Sequence, residues 1–197
     1  MLLAMVVLGL GLAATTVMAG QGGPVGLLIA TAVVGLVWAG LAVRERTQLL
    51  HSAARKSKVA AATARSMGFV WLWGALGLSI TYLFILKWHE WWQFALAFGV
   101  AGVLSLALSF LLERDAAAGR DDAAMLKLAR YLAIGQLAGM AAAVIGLIID
   151  PDKEIFWPNE GDWAANIIFL GGALTLAAIT IHALLTDDGA GAPKVGA

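Results

Sequence analysis

Long uncharged apolar runs alternate with short polar ones along this chain. Asp, Glu, Lys and Arg are absent from residues 2–19, 25–43, 67–86, 91–112, 131–149 and 163–185. At 1.5 Å per residue, a helix of about 20 residues crosses a bilayer's hydrocarbon, which is about 30 Å thick. The pattern predicts an all-α integral membrane protein, a single bundle of six transmembrane helices in three hairpins. Gly20-Gln21-Gly22-Gly23-Pro24 has the composition of a tight turn. The run at 2–19 ends Val17-Met18-Ala19, like a signal-cleavage site, but no basic segment precedes it, so it reads as a retained span.

The remaining polar segments sort by charge. Connectors 44–66 and 113–130, with Lys194 in the tail, hold eleven Lys and Arg, whereas turns 87–90 and 150–162 hold only Lys87 and Lys153. Lysine and arginine stay on the cytoplasmic side. The expected topology is therefore N-in/C-in, with turns 20–24, 87–90 and 150–162 outside. Connector 44–66 is Ala-rich without Gly or Pro and predicts continuous helix, while Asp121 or Asp122 is the expected N-cap of a helix running through Met125 and Leu128.

Composition agrees: 61% of residues are hydrophobic and 13% charged, against about 45–50% and 25% in soluble domains. The chain has no cysteine, which excludes disulfides and thiolate chemistry. No basic tract interleaved with aromatics suggests a nucleic-acid surface. Charge-free spans argue against proton relays and ion-coupled transport. No nucleophile–base pair, phosphate loop or zinc spacing is present; His89-Glu90 has Gln93 where a zinc helix needs histidine. The expectation is a protein that is not an enzyme, in a bacterial inner membrane.

Candidate binding residues fall into four groups. Trp88, Trp91, Trp92, Trp157 and Trp163 crowd the outer turns. An interfacial aromatic belt explains most of them, but their bias to one side also suits a partner surface. Gly135 and Gly139, followed by Ala143, form a small-residue stripe, as do Ala97-Ala101-Ser105-Ser109 and Gly35-Ala39. Such stripes let helix backbones approach closely. Gln136 and His182 share a depth near the inner face and would meet if the last two spans pack as a hairpin; an interhelical hydrogen bond is worth roughly 0.6 kcal/mol. With His89 and His51 they are also the residues available to a haem, a chlorophyll-type pigment or a quinone. Asp150, Asp152 and Glu154 begin like a calcium loop, but Ile155 and Gly161 stand where that loop needs Gly and Glu. The segment therefore reads as a solvated acidic turn. Gly102–Ala107 and Gly172–Ala177 are similar at an offset of 70 residues, which fits a hairpin duplication and equally a chance agreement between apolar helices of simple composition.

The leading expectation is a non-catalytic accessory or scaffold subunit of a larger inner-membrane complex, energy-transducing assemblies included, with other integral membrane subunits and the lipid bilayer as partners. A small transporter or channel for an uncharged solute comes second, and a haem- or pigment-carrying subunit third. The topology is directly testable. A fluorescent protein fused after Ala197 should fluoresce, and alkaline phosphatase inserted after Ile155 should be active; the opposite pattern would overturn the N-in/C-in assignment.

Overall fold

The computed structural model describes residues 33–81, 91–149 and 163–187, and every regular element among them is an α-helix. Helix α1 is described over residues 33–51. It is followed by α2 (Lys56–Thr81), α3 (Trp91–Ala117), α4 (Ala123–Ile149) and α5 (Trp163–Asp187). Within α3, Ala95–Ala117 contains an 18-residue window of mean hydropathy 2.3 and is, among the described residues, long and apolar enough to cross a membrane. The expected span at 2–19 and the three turns at 20–24, 87–90 and 150–162 lie outside the described residues.

Helices α2 and α3 pair most extensively. Their contact is built on glycine. A Cβ at Gly102 would stand 2.7 Å from Leu72 Cγ and 3.0 Å from the Gly68 carbonyl oxygen; one at Gly68 would stand 2.9 Å from Leu106 Cγ and 3.1 Å from the Gly102 carbonyl oxygen. Without those carbons the two backbones touch, and dispersion accumulates along the seam. Below it, Ser109 donates to the Ala61 carbonyl oxygen at 2.9 Å. Above it, Trp71 meets Phe98 edge-on, with centroids 4.9 Å apart. Trp38 of α1 packs its edge against Phe69 and donates Nε1–H to the Ser66 carbonyl oxygen at 3.3 Å. Around it, Ala42, Met67, Leu176 and Ile179 join α1, α2 and α5 in the main core.

Beside the apolar core, some polar side chains lie inside and many large apolar ones outside. Small and polar residues such as Ser57, Ser105, Ser109 and Thr180 are buried, whereas Phe110, Leu174 and Leu185 are about two-thirds or more exposed. Large apolar side chains face outward on all five helices.

The connector at 44–66 differs from the expected unbroken helix. Helix α1 stops at His51, and α2 starts at Lys56, eleven residues before the apolar run it contains. Ala53 adopts φ 51°, its N–H donates to the Leu50 carbonyl oxygen, and the Ala54 N–H reaches back to Leu49. This is a Schellman C-terminus with alanine where glycine is usual, so composition did not reveal it. Helix α3 ends the same way with Gly119 at φ 73°, Gly119 N–H donating to Ala116 and Arg120 N–H to Asp115.

The glycines of the seam and those of α4 should respond oppositely to substitution. Gly102→Ala should lower bundle stability by about 1–3 kcal/mol through overpacking. Gly135→Ala, with nothing within 4 Å of its Cβ position, should be neutral or stabilising by up to about 1 kcal/mol. Thermal unfolding of the purified protein in detergent compares the two.

Candidate functional site

The described polar chemistry gathers where the 52–55 and 118–122 turns meet. Arg46 lies on α1 four residues after Ala42 and eight after Trp38, so it continues the buried stripe of that helix and is only 3% exposed. Its guanidinium donates from Nη1 to Thr63 Oγ1 of α2 at 2.7 Å, from Nε to Thr186 Oγ1 of α5 at 3.1 Å and from Nη2 to the Ala183 carbonyl oxygen at 3.2 Å. Both hydroxyls stay satisfied, since Thr63 donates onward to the Val59 carbonyl oxygen and Thr186 to that of His182. The planar five-donor fork of arginine is what allows one side chain to join three helices. Beside it, Arg65 of α2 bridges Glu45 of α1 and Glu113 of α3. Both carboxylates are nearly half exposed and so are screened by solvent, and each pair contributes about 0–1 kcal/mol.

The two aspartates of the second turn divide the capping. Asp122 caps its own helix, its Oδ1 accepting from the Ala124 N–H at 2.8 Å. Asp121 caps another helix. The first turn of α2 has no acidic residue, and Ala53, Ala54 and Arg55 before it offer no side-chain acceptor. Asp121 Oδ1 accepts from the Ser57 N–H at 2.9 Å and the Ser57 hydroxyl at 2.8 Å. A carboxylate at a helix N-terminus satisfies an orphan donor and meets the positive end of the helix dipole. The Ser57 N–H, chiefly, holds the Asp121 carboxyl below its ordinary pKa.

A cavity of about 1330 Å³ opens at this end, between the last turns of α1 and α5 and the first turns of α2 and α4. Arg46, Arg55, Lys56, Lys127 and Arg130 line it against one carboxylate, Asp121, and apolar side chains including Val59, Met67, Leu132 and Leu184 make up much of the rest. Lys127 also lies 5.5 Å from the ring centre of Tyr131, one turn along α4.

The residues predicted from sequence are dispersed. Gln136 does not reach toward His182; its Nε2 donates to Ser105 Oγ of α3 at 3.2 Å. Although α4 touches α5 more than α3, the rotation of α4 turns this side chain to α3. Gln136 Oε1 and His182 Nδ1 are buried without a hydrogen-bond partner. His51 is exposed and turns Nδ1 to the Thr47 carbonyl oxygen at 2.7 Å. Gly135 and Gly139 are both exposed, with nothing within 4 Å of either Cβ position. Trp91 and Trp92 open α3 and Trp163 opens α5. Trp88, Trp157, His89, Asp150, Asp152 and Glu154 lie outside the described residues. Among the described residues no three His, Cys, Asp or Glu side chains gather as a metal site. Arg46 was missed because R-E-R reads as ordinary connector charge; its four-residue spacing from Trp38 and Ala42 is the signal that marks it. Comparison with protein-family models, curated proteins and solved structures finds no match.

The imported cap should carry a pH signature. The folded Asp121 pKa lies below the unfolded value, so its contribution is complete above about pH 4 and is lost as pH falls through the folded value. Asp121→Ala should cost about 1 kcal/mol at neutral pH. Relative to Asp121→Asn, the wild type's extra stability should be flat from neutral to about pH 5 and shrink below about pH 4. Thermal unfolding in detergent across that range measures it.

Proposed function

We propose that this chain is a six-span protein of a bacterial inner membrane, N-in and C-in, and that it serves as a non-catalytic scaffold subunit of a larger membrane complex. Three observations support the membrane reading. Large apolar side chains face outward while hydroxyls are buried. Ala95–Ala117 has the length and hydropathy of a span. The lysines and arginines also lie overwhelmingly on one side of the expected topology.

The observation that carries the scaffold reading is the open face of α4. Between α2 and α3, Gly68 is matched by Gly102 and the backbones touch. On α4, Gly135 and Gly139 present the same small-residue surface one turn apart with nothing over it. Between helices in lipid, burial from water gives no drive, so close backbone packing and hydrogen bonds supply the attraction. A glycine face left open retains the capacity to dock a helix of another subunit. The tryptophans near 88–92 and 157–163 offer a second contact on the outer side.

Mild-detergent extraction and a native gel, with identification of co-migrating chains, tests this. The wild type should migrate in a larger assembly. Gly135→Leu with Gly139→Leu should release it while leaving the unfolding temperature of the isolated chain nearly unchanged, and Trp91→Ala with Trp157→Ala should weaken co-migration. A lone, monodisperse species near 20.5 kDa plus detergent would sink the proposal.

A further inference from the structure

We propose that the cavity at the charged ends of α1, α2, α4 and α5 binds an anionic phospholipid from the cytoplasmic leaflet, with the phosphodiester at its cationic mouth and an acyl chain along its apolar wall. The inference rests on the membrane reading of the chain and not on the docking of another subunit.

Charge selects the headgroup. Five cationic side chains line the cavity against a single carboxylate. That carboxylate is itself committed to the N-terminus of α2 through Ser57. The net field at the mouth therefore favours an anion. Lys56 stands at the first residue of α2 and Lys127 in the first turns of α4, both exposed, so their ammonium groups flank the opening from two helices. Arg46 closes the inner wall, its guanidinium oriented by Thr63, Thr186 and the Ala183 carbonyl oxygen.

Shape selects the tail. The lining runs along α2 from Lys56 to Met67, about 16 Å at 1.5 Å per residue. A phosphate ion needs only the mouth. The volume of about 1330 Å³ exceeds the roughly 300–1,000 Å³ of most small-molecule sites. From Lys56 the lining continues along α2 to Met67, and from Lys127 along α4 to Leu132, so hydrocarbon follows the exposed lysines into the fold, the order of groups in a phospholipid. Basic pockets between helices on the cytoplasmic side are suited to anionic headgroups.

The test is native mass spectrometry of the full chain in an uncharged detergent, titrated with phosphatidylglycerol and with phosphatidylcholine. Phosphatidylglycerol should be preferred, and the preference should fall as salt is raised toward about 0.5 M. Lys56→Gln with Lys127→Gln should cut it by roughly five-fold per lysine, about twenty-five-fold for the pair. Arg44→Gln with Lys58→Gln removes the same charge from residues outside the cavity lining and should leave the preference intact. Equal binding of the two lipids, or equal loss in both double variants, would overturn the proposal. Inorganic phosphate at millimolar concentration should not displace the lipid; full displacement would mean a site for the free anion and would equally overturn it. Release of the chain by alkaline carbonate would refute the membrane reading and this inference together, whereas a chain retained in the membrane without lipid preference refutes the inference alone.

Discussion

The contact between Gly68 and Gly102 sets the spacing on which the other helices are arranged. With no Cβ on either side, the carbonyl oxygen of each glycine comes within about 3 Å of where the other's Cβ would be. Leu72 and Leu106 then fold over the opposing glycines and lock the register. Helix α1 docks onto the other flank of α2 through Trp38, Ala42 and Met67, and α5 enters the same core through Leu176 and Ile179. Helix α4 enters the main core through Ala133 and joins a smaller cluster, where Met125, Leu126 and Ala129 pack against Ala61, Leu108 and Leu112. Gly135 and Gly139 find no counterpart. The different packing of the α2–α3 and α4–α5 pairs follows from that, despite the local similarity of Gly102–Ala107 to Gly172–Ala177.

Polar groups are concentrated at one end of this frame and are paired across helices. Arg46 joins α1, α2 and α5, Arg65 joins α1, α2 and α3, and Asp121 joins the α3–α4 turn to α2. Each link serves a group that its own segment could not satisfy. The α2 N-terminus lacks a local cap, and a guanidinium as buried as that of Arg46 needs acceptors from several directions. Because the links are made at the margins of the helices, they leave the middle of that end open, and the cavity is the space they enclose.

The two features assigned function here have a common origin. Both are places where the fold stops filling space with its own atoms: a glycine face on α4 and a cavity among four helix ends. At the α2–α3 seam, by contrast, Gly68 is matched with Gly102 and the Ser109 hydroxyl with the Ala61 carbonyl. In a bilayer, a gap beside hydrocarbon is filled by a neighbouring helix or a lipid, and the chemistry of the lining distinguishes them. Bare backbone suits a helix. Cations above an apolar wall suit an anionic lipid.

Helical content, the positions of the four later helices and the segregation of charge were legible in the chain, because they follow from the length and spacing of uncharged runs. The four later helices fall where those runs predicted, each extending beyond its apolar run at one end. The break at 52–55 was not legible, since Ala53 takes a conformation that alanine's presence does not announce. Nor was the division of labour between Asp121 and Asp122, because a cap sixty-four residues from its helix depends on which turns lie side by side. The sequence placed Gln136 and His182 at one depth, but the neighbour of a polar group is chosen by helix rotation and adjacency, and Gln136 turned to Ser105. Three stripes of small residues look alike in one dimension. Only packing distinguishes Ala39, Ser105 and Ser109, which are buried, from Gly135 and Gly139, which remain open. Local periodicity fixes which residues can face one another; which of them do is a property of several helices at once, and no single segment contains it.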